Sequence, residues 1–594
     1  MKKLDLVFLW HMHQPDYRDH GAIKVGADDT AAAAAAAAAP SKVRHGMADG
    51  ATHGEFVLPW VYLHAMKDYV DMVAHLERHP KVRCVMNLVP VLLDQIEDYA
   101  HQFADGVFRD PLLRMLAAPD LNRITNADRQ LLLEACFRSS YATMLAPFPC
   151  YQRLHDLYQL LAREGETAHA YLSGAYFSDL VTWYHLAWTG ETERRRNPLI
   201  ANLMTKSEGF DASDRRQLLT SIGELVGGLI PRWRALEERG QIEISSTPQT
   251  HPLSPLMLDF RSALDGVPDA PLPFAPAYPG GRSRVLAHIQ AARTSHARRF
   301  GAPSTGMWPA EGAVSEAFVK HLAESGCRWI ASGEGVLKHS LAVSHIDDPR
   351  AAYKPYRLEK APGLTLFFRD ERLSDLIGFD YAKWHGRDAA QHLIAQLEGI
   401  LDSAPADEKT VVSIILDGEN AWEYYPYNGY YFFEDLYSLL AAHPRINTTT
   451  YAEILARPEP PPVQVLPRLT AGSWVYGTMS TWIGDKHKNL AWDLLCAAKQ
   501  SYDRVVASGR LNKDQIDDAE VQLAICESSD WFWWFGDYNP SAAVASFDSL
   551  YRRNLARLYR LLHIDPPAQL DTPISGGSSS AEGGSMRRVT DSIN

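Results

Sequence analysis

The sequence predicts an α/β fold in which a barrel of parallel strands with helical insertions is followed by a mainly helical C-terminal region. Three observations predict it. Short apolar runs alternate with helical patterns, which is typical of βαβ units and a parallel sheet. Residues 92–235 show helical periodicity with few strand signals, which indicates an insertion between barrel strands. Prolines at 458 and 460–462 mark a composition break, beyond which residues 486–506 and 541–563 are predicted to be helices.

The individual elements follow from the hydrophobic period and from residues that start or stop regular structure. Strands are predicted where short apolar runs are bounded by polar or turn residues, at 4–10, 82–88, 242–244, 327–331, 365–368 and 410–416. Helices are predicted at 59–79, 314–325 and 387–402. Thr125 before an apolar run resembles a helix N-cap, and the Pro- and Gly-rich residues 265–281 predict a long loop.

These elements divide the chain into three predicted parts. Residues 1–457 form the catalytic barrel, with a low-complexity loop near 28–50 that contains an alanine run at 31–39, and with the helical insertion near 92–235. Residues 458–565 form the C-terminal helical region, which we expect to contribute to the active-site cleft. Residues 566–594 are rich in Gly and Ser and predict a flexible tail.

Composition excludes several classes of function. The 594 residues include 59 Lys and Arg against 72 Asp and Glu, a net charge of −13, which argues against nucleic acid or an anionic membrane as the partner. The six cysteines form no CxxC pair and predict free thiols in a reducing compartment. No stretch approaches the ~18 apolar residues of a membrane span, and the N-terminal apolar run at 6–10 is shorter than the roughly 7–15 residues of a signal peptide. We therefore expect a cytoplasmic protein.

Four segments are short apolar runs that end in polar and aromatic residues, at 11–14, 240–243, 308–311 and 416–420. In parallel barrels the catalytic groups lie at the carboxyl ends of the strands, so we expect these segments to meet. His11 and His13 are spaced to face the same side of a strand, which suits either a metal or a hydrogen-bonding pair in a polar pocket. Because no further ligand motif accompanies them, we predict no metal and no cofactor.

Two carboxylates in these segments are candidates for acid–base work. Glu311 follows Trp308-Pro309 and projects from a turn, although a Glu at a helix N-terminus is the alternative. Asp417 ends an apolar run, where burial would raise its pKa as a general acid requires, and a helix N-cap is the alternative. Two carboxylates flanking a pocket suit glycosidic bond cleavage. The 15 Trp and 26 Tyr residues suit sugar rings, although many of them belong to the core.

These segments resemble motifs of glycoside hydrolase family 57, an α-glucan-active family of amylopullulanases, α-amylases, 4-α-glucanotransferases and branching enzymes. The resemblance runs from residue 6 to about 559, and further stretches resemble the amylopullulanase branch at 179–188, 251–253, 368–379 and 529–534. The matching motifs are His11-Met12-His13-Gln14-Pro15, Gly240-Gln241-Ile242-Glu243, Gly306-Met307-Trp308-Pro309-Ala310-Glu311, Leu416-Asp417-Gly418-Glu419-Asn420 and Gly472-Ser473-Trp474 with Thr481-Trp482-Ile483-Gly484.

The resemblance implies a (β/α)7 barrel followed by a helical region, and a retaining mechanism. Glu311 would be the nucleophile and Asp417 the general acid/base, ~5–5.5 Å apart, with Glu311 ionised and Asp417 protonated at rest. The substrate-binding residues it implies are His11, His13, Gln14, Glu243, His251, Trp308, Trp422 and Trp474.

The expected activity is hydrolysis of α-1,4 bonds, with α-1,6 bonds as further candidates, in glycogen, starch or maltodextrins. The partner is then an α-glucan or malto-oligosaccharide, and the oligomeric state is left open. A 4-α-glucanotransferase or branching enzyme is the nearest alternative, since transfer shares the glycosyl-enzyme intermediate and depends on water exclusion. More distant alternatives are a metal-dependent polysaccharide deacetylase, using His11, His13 and an aspartate, and a non-catalytic glucan-binding protein.

Overall fold

A computed structural model describes residues 2–20, 54–163 and 166–578. The loop predicted near 28–50, with its alanine run, lies outside the described residues. Seven parallel strands carry the architecture, and their bounds are β1 Leu4–Met12, β2 Cys84–Leu88, β3 Ile242–Ser245, β4 Gly306–Met307, β5 Trp329–Ser332, β6 Ala361–Phe368 and β7 Thr410–Asp417. Six of them confirm predicted strands. The two residues of β4 are too few to show a hydrophobic pattern.

The seven strands follow one another in order around a ring. Strands β7, β1, β2 and β3 pair in one sheet, and β4, β5 and β6 pair in a second. Among the described residues no continuous ladder joins the two sheets. Single parallel bridges connect them instead, from Ser246 to Met307 between β3 and β4, and from Arg369 to Ser413 between β6 and β7. The mixed α/β fold with a parallel sheet is therefore confirmed.

In the part of the chain that the structure describes, five shorter strands lie outside this ring. Arg18–Asp19 and Glu55–Phe56 pair antiparallel with each other. Tyr356–Leu358 runs antiparallel to β6, and Gln464–Val465 adds to its other side. Ile446–Thr448 pairs with β1 near the start of that strand.

Helices surround the strands. The predicted helix at 59–79 is present as Trp60–His64 and Val70–Arg78, joined by a π-helical turn at Ala65–Tyr69. Thr125 is the predicted N-cap, and it exchanges hydrogen bonds with Asp128 in a capping box. The insertion contains Pro90–Asp105, Pro111–Ala117, Asn126–Ala135, Pro149–Ala162, Gly174–Ala187, Glu191–Arg196, Pro198–Lys206 and Ala212–Glu238. The later barrel helices are Ser254–Leu258, Gly281–Phe300, Glu316–Glu324, Glu334–Val343, Glu371–Asp375, Gly386–Asp402, Tyr430–Ala442 and Tyr451–Ala456.

The C-terminal region is helical, as predicted, with more helices than the sequence indicates. Lys486–Ala507 and Ser541–Leu561 correspond to the two predicted helices. Lys513–Cys526 and the short Ser529–Trp534 lie between them. No helix among the described residues is both long and apolar enough to span a membrane. The domain boundary at 457/458 stays a prediction.

The first part of the predicted flexible tail is packed against the C-terminal helices. Leu570 and Ile574 are each 5% exposed, and the amide of Ile574 donates to Asp548 at 2.7 Å. The Ser578 amide donates to the carbonyl of Asn539 at 2.9 Å. Buried side chains and backbone hydrogen bonds therefore hold residues 566–578 against the helices, and the extent of the flexible tail stays a prediction. Residues 579–594 lie outside the described residues.

The core divides at the strands. In β1, Leu6, Phe8 and Trp10 face the helices, whereas Val7 and Leu9 face the barrel interior. The interior cluster is small and also contains Val85, Trp308, Trp329, Ala331, Phe367, Val411 and Ile415. The next inward position on each strand therefore lies at the carboxyl rim of the barrel.

Candidate active site

The strand period places a group of polar residues at the rim. Two residues beyond the inward-facing Leu9, Val85, Phe367 and Ile415 come His11, Asn87, Arg369 and Asp417. The register aligns them, since His11 is opposite Asp417 on one side and Asn87 on the other. A cavity opens above this layer. It is lined by seven of the predicted residues, namely His11, His13, Gln14, His251, Glu311, Asp417 and Trp474.

Glu311 has an unusual backbone. It lies in a short turn, Ala310–Gly312, and has left-handed φ and ψ of 58° and 23°. Such a conformation costs a non-glycine residue free energy and is concentrated at functional sites. The side chain is 13% exposed. Its two carboxylate oxygens each accept a hydrogen bond, from Trp474 Nε1 at 3.1 Å and from Ser529 Oγ at 3.2 Å.

Asp417 is the last residue of β7. Its Oδ2 accepts a hydrogen bond from Asn420 Nδ2 at 2.7 Å, three residues further along the chain. Glu419, also in the cavity wall, is held by the His13 amide at 3.3 Å and by Gln14 Nε2 at 3.2 Å. Burial raises the pKa of Glu419 well above its ordinary value, and the neighbouring Asp417 raises it further.

The two candidate carboxyls both hold protons more tightly than in water. Burial, reinforced by Asp530 and Asp417, raises the pKa of Glu311 to about 8. Burial raises the pKa of Asp417 to about 6, while Asn420, His13 and Arg369 act in the opposite direction. This order is the reverse of the expected one, in which Asp417 holds the proton. The physical reason is that Asn420, His13 and Arg369 offset the effect of burial at Asp417, whereas Asp530 and Asp417 add to the effect of burial at Glu311.

The histidines form a chain of contacts across the cavity floor. His11 Nδ1 donates to Asn87 Oδ1 at 2.7 Å, because that oxygen can only accept. His11 Nε2 lies 3.1 Å from His251 Nε2, and His251 Nδ1 lies 2.8 Å from Ser529 Oγ. Burial lowers the pKa of His11 to about 3 and that of His251 well below its ordinary value, with neighbouring histidines adding to both effects. These two rings are therefore neutral at neutral pH.

His13 faces the C-terminal region. Its Nε2 lies 2.8 Å from Asp530, and its ring stacks on His251 with centroids 3.8 Å apart. The ligand atoms of His13, His251 and Asp530 all lie within 4.8 Å of one another, so this trio could hold a metal ion. His11, which the metal-dependent alternative requires, is instead oriented by Asn87 and belongs to no such group among the described residues.

Three predicted substrate-binding residues lie outside the cavity. Glu243 faces the barrel interior one layer below the rim, opposite Val85, and accepts from Trp329 Nε1 at 2.6 Å. Trp308 is wholly buried and packs edge-on against Trp474. Trp422 is 1% exposed and donates to the Gly418 carbonyl at 2.9 Å. These side chains support the walls of the site and have no face for a sugar.

Several residues of the cavity wall were not predicted as site residues. They are Arg369, Glu419, Asp530, Trp533, Trp534 and Phe547, together with Ser529, which contacts Glu311. Arg369 and 529–534 lie in stretches noted for their resemblance, and the polar residues within those stretches are the signal that could have found them. Glu419 lies inside a matching motif beside Asp417.

Comparisons with known proteins agree with the fold. A family model described as glycosyl hydrolase family 57 matches residues 7–467. No curated protein matches the chain in sequence. A branching enzyme of Thermococcus kodakaraensis has a similar fold, with a TM-score of 0.56 and 15% identity over 94% of this chain and 90% of that one. The alpha-amylase AmyC of Thermotoga maritima gives 0.52 and 12% over 95% and 93%. Identities this low establish the fold alone.

Proposed function

Since the chain belongs to glycosyl hydrolase family 57, we propose that it is a retaining α-glucan hydrolase with Glu311 as nucleophile and Asp417 as general acid/base. One observation carries the proposal. Two carboxyls with raised pKa values line one cavity, and the Glu311 carboxylate is oriented by a hydrogen bond on each oxygen. Paired carboxyls of this kind cleave glycosidic bonds.

The mechanism has two displacements. In the first, a Glu311 oxygen attacks the anomeric carbon, the glycosidic C–O bond breaks, and Asp417 donates its proton to the leaving oxygen. In the second, ionised Asp417 takes a proton from water, whose oxygen attacks the same carbon and displaces Glu311. Asp417 regains its proton and Glu311 its charge, so the enzyme returns to its starting state.

The raised pKa values suit this cycle, because the pair retains a proton near neutral pH. The first step requires that proton to be on Asp417. The hydrogen bonds from Trp474 and Ser529 lower the pKa of Glu311 and so favour its ionised form. We propose that the bound sugar completes the transfer of the proton from Glu311 to Asp417, since an anomeric carbon that develops positive charge stabilises a carboxylate beside it.

The rest of the cavity wall suits a sugar. Among the described residues, His13 Nδ1 has no hydrogen-bond partner in the protein and can bond a sugar hydroxyl. Trp474 presents an indole beside the nucleophile. Hydrogen-bonding groups with an adjacent aromatic face are typical of carbohydrate sites, because sugars carry many hydroxyls and apolar ring faces.

A transferase is the second candidate, and the aromatic wall favours it. Trp533, Trp534 and Phe547 line the cavity, and the rings of Trp534 and Phe547 stack with centroids 4.3 Å apart. An apolar wall excludes water and leaves the intermediate to a sugar hydroxyl. The similar fold of the Thermococcus branching enzyme is consistent with this alternative.

Incubation with maltoheptaose, followed by separation of the products by size, tests the proposal. Hydrolysis gives shorter chains and new reducing ends. Longer and shorter chains with constant reducing ends would replace hydrolysis by transfer. Glu311→Ala should abolish either reaction, whereas Glu243→Gln, which alters a buried carboxyl outside the cavity, should retain it. If wild-type protein changes no linear glucan, pullulan or glycogen, the proposal is overturned.

A further inference from the structure

A second buried charge cluster lies outside the cavity. Glu527 directly follows a C-terminal helix and is fully buried. Its carboxylate accepts hydrogen bonds from Tyr278 Oη at 2.5 Å, from Arg284 Nε and Nη2 at 2.9 Å each, and from His288 Nε2 at 2.7 Å. All three donors belong to helix Gly281–Phe300 and the loop before it, which are barrel elements. The Glu527 carboxylate thus links the C-terminal region to the barrel through hydrogen bonds.

The residues after Glu527 enter the active site at once. The Ser529 amide donates to the carbonyl of His251 at 2.9 Å, and the Ser529 hydroxyl lies 3.2 Å from Glu311. The next residue, Asp530, lies 2.8 Å from His13 Nε2. Two residues of extended chain span at most ~7 Å. Ser529 lies two residues and Asp530 three residues after Glu527, so a displacement of Glu527 also shifts the contacts that Ser529 and Asp530 make.

We propose that Glu527 is a positioning residue, whose buried cluster sets where Ser529 and Asp530 stand against Glu311 and His13. This inference rests on the proposed function. Neither Glu527 nor its three donors line the cavity, so they act through the Ser528–Asp530 segment.

The chemistry of the cluster explains why it fixes position. A buried carboxylate is tolerated only when its acceptor sites are filled in good geometry, and the arrangement of four donor atoms admits one placement of the group. Despite burial, Arg284 and His288 lower the pKa of Glu527 to about 2, so it stays ionised. Apolar packing alone would hold the two regions together without fixing the segment so closely, because apolar contacts have no direction.

Glu527→Gln tests the proposal, with Asp548→Asn as the matched control. Asp548 is equally buried in the C-terminal region and paired with Arg552, but it touches neither the cavity nor the segment. On a chromogenic malto-oligosaccharide, Glu527→Gln should lower kcat about 10- to 100-fold with KM changed less than threefold. Asp548→Asn should leave both within threefold.

A double-variant comparison separates positioning from plain stability. In a Ser529→Ala/Asp530→Asn background the groups to be positioned are gone, so Glu527→Gln should then lower kcat less than threefold. Equal losses in both backgrounds would overturn the proposal. If Glu527→Gln does not fold, Tyr278→Phe removes one donor and should lower kcat two- to tenfold in the wild-type background alone. An unchanged kcat for Tyr278→Phe in that case would also overturn it.

Hydrogen exchange gives a readout that needs no turnover. Peptides covering residues 528–534 should exchange faster in Glu527→Gln, or in Tyr278→Phe, than in Asp548→Asn. Unaltered exchange there would overturn the positioning role even in an enzyme that cleaves glucans. Faster exchange in a protein without glucan turnover would support positioning while the proposed function fails.

Discussion

Replacing the proposed nucleophile should make the protein more stable. Glu311 is mostly buried, and its pKa is raised from 4.5 to about 8. The folded state therefore disfavours the ionised carboxylate relative to the unfolded chain. Wild-type stability should fall as pH rises from about 4.5 towards 8, and Glu311→Gln, which cannot ionise, should escape that loss.

The size of the gain follows from the shift. Each unit of pKa difference corresponds to about 1.4 kcal/mol. At pH 7.5 the raised pKa of Glu311 therefore lowers the free energy of unfolding by about 4 kcal/mol. Glutamine keeps an oxygen for the Trp474 indole and adds donors towards Ser529. For a chain of 594 residues that unfolds as one unit, about 4 kcal/mol raises the thermal midpoint by about 3 °C.

The assay is the thermal midpoint of wild type and Glu311→Gln at pH 4.5 and pH 7.5. The gain should appear at pH 7.5 and fall to about a tenth at pH 4.5, where the wild-type carboxyl is protonated in the folded state and half protonated in the unfolded chain. Glu527→Gln is the control of opposite sign. The pKa of Glu527 is lowered to about 2, so its charge stabilises the fold above pH 4.5. An equal gain at both pH values, or a loss at pH 7.5, would refute the reasoning.

Three further predictions concern the site. Trp474→Phe removes the indole donor to Glu311, so the acidic limb of the kcat/KM profile should move up by about one pH unit, and a fixed limb would contradict the contact. Asp417→Asn should lower kcat about 10²- to 10⁴-fold on maltoheptaose but far less on substrates with activated leaving groups, and equal losses would count against the acid. Glu243→Gln should leave KM within twofold, because the side chain lies outside the cavity and glutamine keeps an oxygen for Trp329 Nε1. A large rise in KM would indicate that Glu243 binds the substrate after all.

Six of the seven strands were predictable because each carries a local signal, whereas β4 does not. An apolar run that ends in polar residues identifies both the strand and its end at the carboxyl rim of the barrel. His11 and Asp417 could therefore be predicted as site residues. Register is a tertiary property, and sequence cannot supply it. Glu243 is in a strand of the same type, yet its pairing with Val85 places it one layer too deep to meet a substrate.

The aromatic residues show a second limit. Trp308 precedes Glu311 in the sequence and Trp422 follows Asp417, so from sequence alone each could stack on a sugar. Both are instead enclosed, Trp308 by Trp474 and Trp422 by Trp10 and Phe433. Whether an indole is a core residue or a binding face depends on the element packed over it. No periodicity in the neighbouring residues reports that.

The groups that act on Glu311 come from late in the chain. Both hydrogen-bond donors to its carboxylate, Trp474 and Ser529, lie beyond the proline-rich break and beyond the residues 7–467 matched by the family model. Without the C-terminal region Glu311 would lose both of these hydrogen bonds, which lower its pKa and so favour its ionised form. The competence of Glu311 therefore depends on the C-terminal helices being docked. Variation in that region can change the reaction while every barrel carboxylate stays in place.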